Sequence, residues 1–212
     1  MSKDIIIGID AGTSIIKAVA YTMEGKEIET ASASNQYNIS KDGHATQSLE
    51  QTWKNCTNVI LSLTEKIEDL KKRVAIISVT GQGDGTWLID KNGEPICDAW
   101  LWLDSRSAKL TKELSKLDNE TQRFESTGTG IFAGQQSSQL CYMEKYSPEI
   151  LNKAFTAFHC KDWLYFKMTG IRATDPSEAC FTFGDFRTKD YNESVVKGLN
   201  LEKRSYLFPE II

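Results

Sequence analysis

Ile5-Ile6-Ile7-Gly8-Ile9-Asp10-Ala11-Gly12-Thr13-Ser14-Ile15-Ile16-Lys17 decides how this chain folds. An apolar run ends on an acidic residue and small residues follow. Then Ile16, Ala18 and Ala20 alternate with Lys17, Val19 and Tyr21. A period of two predicts a second strand, so the unit is a β-hairpin closed by Thr13 and Ser14. Gly12 lets the backbone approach an anion, two hydroxyls can donate to phosphate oxygens, Asp10 ends the first strand and Lys17 lies on the second. These parts make a phosphate clamp suited to ATP. The spacing is neither GxxxxGK[ST] nor GxGxxG, and no helical pattern follows. The plain alternative is a tight turn in which Asp10 and Thr13 satisfy only local backbone groups.

Working outward, strands are predicted at about 4–10, 16–23 and 27–37, the last two joined by the turn Glu24-Gly25-Lys26. Ser48 and Gln51 have capping-box spacing. Leu49, Trp53, Cys56, Ile60, Leu63, Ile67 and Leu70 then form one apolar stripe of a long helix. Val74-Ala75-Ile76-Ile77-Ser78-Val79 reads as a fully buried strand, parallel to its neighbour because a crossover helix precedes it. The order is β-β-β-α-β.

Composition narrows the class. With 212 residues, 40% hydrophobic and 25% charged, the chain is of ordinary globular type. A net charge of -4, a pI near 5.4 and no Lys/Arg run argue against a nucleic-acid partner. The apolar start has no basic flank, and no stretch is long enough to span a bilayer, so a cytoplasmic protein without a membrane partner is expected. Cys56, Cys97, Cys141, Cys160 and Cys180 are scattered without a CxxC pair and read as buried thiols. His44 and His159 are the only histidines, too few for a histidine metal cluster, and His159 reads as structural.

After the fourth strand come Thr80-Gly81-Gln82-Gly83-Asp84-Gly85-Thr86-Trp87-Leu88-Ile89-Asp90 and Ala99-Trp100-Leu101-Trp102-Leu103-Asp104-Ser105-Arg106. The Asp84 carboxylate can accept two vicinal hydroxyls, Gln82 can both donate and accept, and Trp102 can lay an apolar face on a carbon chain. Asp104 is a fourth candidate in this small-polyol site. The alternatives are Asp84 as a turn residue between glycines, Trp102 as core, and Asp104 as N-cap of the helix implied by Leu110, Leu114 and Leu117.

These segments, with Thr127-Gly128, Lys161-Asp162-Trp163-Leu164 and Thr174-Asp175-Pro176-Ser177-Glu178-Ala179, resemble the FGGY carbohydrate kinases along nearly the whole chain. Within the family the strings look most like the erythritol kinase branch, with L-xylulose kinases next. The resemblance implies an α/β fold of the actin-like ATPase (ribonuclease H-like) type, a mixed sheet with flanking helices. It implies ATP and Mg²⁺ as cofactors and a small polyol or ketose as substrate. By resemblance Asp10 holds Mg²⁺ through water; Gly12, Thr13, Ser14 and Lys17 serve the ATP phosphates; and Gln82, Asp84, Trp102 and Asp104 serve the sugar. Gly83 replaces an Arg found in glycerol kinases, which argues against glycerol. Gln139 replaces the Lys of a family signature, leaving as its plain reading a polar residue on an amphipathic helix.

The resemblance also implies that residues 1–212 are the sugar-binding N-terminal domain of a longer protein. Its C-terminal domain would supply the adenine pocket and the general base, and a homodimer is the expectation for the full-length protein. No Gly-x-x-Asp-Gln motif occurs here, and the late carboxylates Asp185 and Asp190 lie in segments matching the first domain. The chain alone is therefore expected to be inactive. The alternative is a noncatalytic actin-like module that binds a carbohydrate or a partner; an Hsp70-type or acetate-kinase identity leaves Gln82, Asp84 and Trp102 unexplained.

Overall fold

The computed structural model describes residues 3–212. In chain order it runs β1 (Ile5–Ala11), β2 (Ile15–Thr22), β3 (Glu27–Ser34), β4 (Asn38–Ile39), β5 (Ala45–Gln47), α1 (Leu49–Lys66), α2 (Leu70–Arg73) and β6 (Val74–Gly81). It continues through β7 (Trp87–Ile89), β8 (Ala99–Trp100), α3 (Ala108–Leu114), α4 (Glu120–Thr127), α5 (Gln136–Tyr146), α6 (Pro148–Lys153) and β9 (Thr156–Phe158). The last part is α7 (Cys160–Thr169), β10 (Ala173–Thr174), α8 (Pro176–Phe183), β11 (Gly184–Asp185), β12 (Asp190–Tyr191), α9 (Glu193–Gly198), a 3-10 turn and β13 (Glu210–Ile211). Two compact units result: residues up to Tyr37 with Ser48–Gln82, and Asn38–Gln47 with Gly83–Ile212.

The first unit is a mixed sheet of order β3-β2-β1-β6. β1 pairs antiparallel with β2 and parallel with β6, as the hairpin and crossover patterns predict. Ile5, Ile7, Ile9 and Ala11 face inward along β1, matched by Ile16, Ala18 and Ala20 on β2. α1 packs on β2 and β3. It begins at Ser48, whose side chain accepts from the Gln51 amide at 3.2 Å. The Gln51 side chain donates onward to Asn55 at 2.8 Å.

Two details differ from the sequence expectation. β6 is not fully buried, and Ile76 and Ile77 are 54% and 44% exposed. β6 lies at the sheet edge, with β1 its only neighbour among the described residues, while α1 covers the other side of the sheet. The helix stops at Lys66, and its buried face includes Thr52 and Asn55, whereas Trp53 and Ile60 are half-buried. The cause is Asn35, which is 3% exposed. Its Oδ1 accepts from Asn55 Nδ2 at 3.2 Å and Thr52 Oγ1 at 3.5 Å, and its Nδ2 donates to the Gly12 carbonyl at 3.0 Å. Its amide donates to the Ser14 carbonyl at 2.8 Å. A polar seam thus ties the hairpin turn to α1.

The second unit gathers short strand pairs and helices around a core that includes Leu88, Trp100, Leu140, Met143, Leu151 and Phe183. β8 pairs with β5, and β7 with β9. α3 begins at Ala108 with Ser107 in the N-cap position, so the alternative of Asp104 as N-cap does not hold. Four of the five cysteines are buried and all five are free. Among the described residues, no helix is long and apolar enough to cross a membrane.

Removal of the Asn35 side chain strands the Gly12 carbonyl and opens the seam. Asn35→Ala is expected to lower stability by about 1–3 kcal/mol in denaturant titration and to speed hydrogen exchange at residues 12–15.

Candidate functional site

In the first unit the expected phosphate residues converge on the end of β1. Asp10 is exposed and lies opposite Lys17 on β2 and Thr80 on β6. The Gln82 amide donates to the Ala11 carbonyl at 3.0 Å, continuing the β6 ladder one residue past the strand. Thr13 Oγ1 donates to Gln82 Oε1 at 2.9 Å. Residues assigned separately to phosphate and to sugar are therefore hydrogen-bonded to each other. Among the described residues no cluster of three or more His, Cys, Asp or Glu gathers as a metal site. A single exposed carboxylate beside a phosphate-type turn nevertheless fits Mg²⁺, which keeps several of its waters and is held by one or two carboxylates together with phosphate oxygens.

In the second unit Asp84 and Gly85 both have positive φ, 54° and 76°. Such a conformation is uncommon for a residue with a side chain, and Asp tolerates it better than most. The turn lies against the Trp100–Trp102 backbone and is fixed from α5. Gly85 N donates to the Gly134 carbonyl at 3.0 Å, and Gln139 Nε2 donates to the Leu101 carbonyl at 2.9 Å. Gln139, whose role the sequence left open, is fully buried on α5 and clamps the loop that carries Trp102. Trp102 itself is 45% exposed, which removes the core alternative.

Asp104 is 2% exposed and its oxygens are engaged within the fold. Oδ2 accepts from the Ala45 amide at 2.7 Å, and Arg106 grips the carboxylate from Nε and Nη2 while lying 3.3 Å from the Trp100 ring centroid. The expected direct sugar contact is replaced by a structural one: Asp104 pins the segment between Trp102 and Arg106.

Around Asp84 lies a group of charges that sequence reasoning only partly named. The Asp84 amide donates to Glu178 Oε2 at 3.4 Å, and Glu178 Oε2 is 3.6 Å from His159 Nε2. His159 Nδ1 is 3.4 Å from Asp162 Oδ2, which also accepts from Thr174 Oγ1 at 3.1 Å. Lys161 bridges Asp162 and Asp175 at 2.6 and 2.9 Å. Burial, then the Glu178 charge, push the Asp84 carboxyl up to about 6, partly opposed by His159. Burial draws the His159 imidazole down, but Glu178 and then Asp162 outweigh it and hold it above the ordinary range. Burial likewise pushes Asp162 up, and His159 and Lys161 outweigh that to hold it low. The available signal for Glu178 was Asp175-Pro176-Ser177-Glu178, which reads as a helix N-terminus with Asp175 as cap, and Asp175 does accept from the Ser177 amide at 2.7 Å. Nothing in that pattern directs Glu178 toward Asp84.

The sequence signature of the FGGY family of carbohydrate kinases, N-terminal domain, matches residues 5–212. The chain belongs to this family. Over 209 residues it is 52% identical to an erythritol kinase of Brucella abortus, covering 99% of this chain and 40% of that protein. It is 29% identical to a xylulose kinase of Lactococcus lactis, covering 98% of this chain and 41% of that one. The fold matches the crystal structure of a ligand-bound xylulose kinase from Lactobacillus acidophilus with TM-score 0.90 at 21% identity, over 100% of this chain and 42% of the other. It also matches a glycerol kinase of Plasmodium falciparum with TM-score 0.85 at 25% identity, over 99% and 43%. The FGGY chain thus has the α/β, actin-like architecture expected of it, and spans about 40% of the length of the curated relatives it matches.

Two substitutions probe this FGGY site. A Cβ at Gly134 would stand 1.8 Å from the Trp102 carbonyl oxygen, so Gly134→Ala is expected to cost about 3 kcal/mol and to shift tryptophan fluorescence. Asp84 holds its proton more tightly folded than unfolded, so its ionisation costs stability progressively from pH 3.8 to about 6 and in full above that. Asp84→Asn is expected to raise stability by about 1 kcal/mol at neutral pH, allowing for partial exposure. In denaturant titrations that gain should shrink as pH falls from about 6 toward 3.8.

Proposed function

We propose that this chain is the sugar-binding N-terminal part of a cytoplasmic kinase that transfers phosphate from ATP to a small polyol, erythritol first and L-xylulose or another pentulose or pentitol next. The observation that carries the reading is a partly buried carboxylate, Asp84, held at positive φ in a glycine-flanked turn against the backbone of an exposed tryptophan. Such an acceptor suits vicinal hydroxyls, and the Trp102 ring suits the C–H face beside them. Identity of 52% to an erythritol kinase supports the choice of polyol.

Phosphoryl transfer asks a protein mainly for charge neutralisation and positioning. Thr13 and Ser14 supply hydroxyl donors and Lys17 a cation for phosphate oxygens, and Gly12 leaves the backbone open to them. Asp10 is the residue that would hold hydrated magnesium. Bound ATP and Mg²⁺ supply the transferable phosphate and shield its charge. Asp84 orients the polyol hydroxyls, and Asp104 keeps the Trp102 segment in place. The general base and the adenine pocket belong to the C-terminal domain of the whole kinase.

The whole kinase, given ATP, Mg²⁺ and a panel of four- and five-carbon polyols and ketoses, should release ADP with at least one of them. No ADP above background from any would refute the reading. Asp84→Ala should lower kcat/KM for the polyol at least about 100-fold, the loss of a charge-assisted contact of roughly 3 kcal/mol, while ATP affinity is kept. Residues 1–212 alone should show no turnover.

A further inference from the structure

Glu178 has no role in the machinery described above, yet its carboxylate occupies a defined place. Oε2 takes the Asp84 amide at 3.4 Å, and Oε1 lies 3.0 Å from where a side chain at Gly83 would begin. Gly83 therefore leaves room for Glu178 beside the turn. Behind it His159 is 4% exposed, and its Nε2, facing Glu178 at 3.6 Å, is a buried polar atom without a hydrogen-bond partner. A neutral imidazole protonated only at Nδ1 would place the bare Nε2 lone pair against a carboxylate; one protonated only at Nε2, with Nδ1 taking the Asp162 amide in the capping box of α7, would leave two carboxylates beside an uncharged ring. An imidazolium gives both ring nitrogens a proton and both carboxylates, Asp162 and Glu178, a counter-charge.

We propose that Glu178 is a positioning residue for Asp84: clamped by a His159 imidazolium that Asp162 holds from behind, it fixes the left-handed turn and so sets the direction in which the Asp84 carboxylate meets a polyol hydroxyl. The role of Asp84 in this statement rests on the kinase reading; the clamp does not. The charged or titratable groups around His159 are Asp84 from the loop, Lys161 and Asp162 from α7, Glu178 from α8, and Tyr191 across the small cavity it shares with His159. Lys161 is already neutralised by Asp162 and Asp175. The ion pair is partly buried, with Glu178 19% exposed at its side chain, so removing one partner leaves the other uncompensated.

With only two histidines in the sequence, imidazole ¹⁵N NMR of the 212-residue chain tests the clamp directly, exposed His44 serving as reference and His44→Gln as the assignment. His159 should keep both ring protons to a higher pH than His44. Glu178→Gln should lower its midpoint by at least one unit, a tenfold change, and Glu178→Asp should fall between. If Glu178→Gln does not fold, Glu178→Asp provides the comparison. A His159 that titrates with His44, or is unmoved by the folded Glu178 variant, would overturn the clamp. In the whole kinase, Glu178→Gln should raise KM for the polyol about tenfold with kcat and KM for ATP within threefold, and Glu178→Asp should recover part of it. An active enzyme whose polyol KM ignores Glu178 would overturn the positioning role. An inactive wild type would instead count against the kinase reading and leave the histidine titration standing.

Discussion

The pairing of β1 with an antiparallel strand on one side and a parallel strand on the other is the constraint on which the first unit depends. Register along β2 sets Lys17 opposite Asp10, and register along β6 carries the chain to Gln82 beside the Ala11 carbonyl. A one-residue slip of β1 would flip all its side chains at once, turning Asp10 inward and Ile5, Ile7 and Ile9 out to water, so burial of those isoleucines enforces the geometry of the turn. The hairpin is then secured from below by Asn35, a buried amide using both its donor and its acceptor atoms. Short side chains at the turn and a rigid base beneath it are what a phosphate site needs: close approach without movement.

The second unit meets a different demand, that of keeping carboxylates charged while partly removed from water. Asp104 is neutralised by a guanidinium and a backbone amide and stays structural. Asp162 is neutralised by His159 and Lys161. Asp84 alone has no hydrogen-bonded cation, and burial together with Glu178 raises its proton affinity. Asp162 and Asp84 shift in opposite directions: the first braces the fold, and the second, in the proposed reading, is left to accept from a polyol. Its stability cost and its usefulness to a ligand have the same origin.

The hairpin, the first crossover and the glycine-flanked Asp84 were legible because each is local: a period of two, a capping signal, a run of small residues. Asn35 was not legible, since it sits at a strand end in Ser34-Asn35-Gln36 with no periodic signal, and its partners lie 17 to 23 residues away. The role of Gln139 stayed open because sequence spacing cannot show that α5 begins with a buried polar turn capping the carbonyls of another loop. Trp102 and Asp104, two residues apart, were taken together, but the chain turns between them so that one faces solvent and the other is enclosed.

By itself the sequence determined the family, the β-β-β-α-β opening and the residue types on which the proposed phosphate and polyol sites rest, because hydrophobic period and turn composition are carried by neighbouring residues. Tertiary structure alone decided which carboxylates are neutralised within the fold, Asp104 and Asp162, and which, Asp84, is pushed toward its protonated form. That division depends on partners far apart in the chain, 94 residues between Asp84 and Glu178 and 59 between Ala45 and Asp104, and on the loss of water around them. Charge in a protein is assigned by surroundings, and the surroundings exist only once the chain has folded.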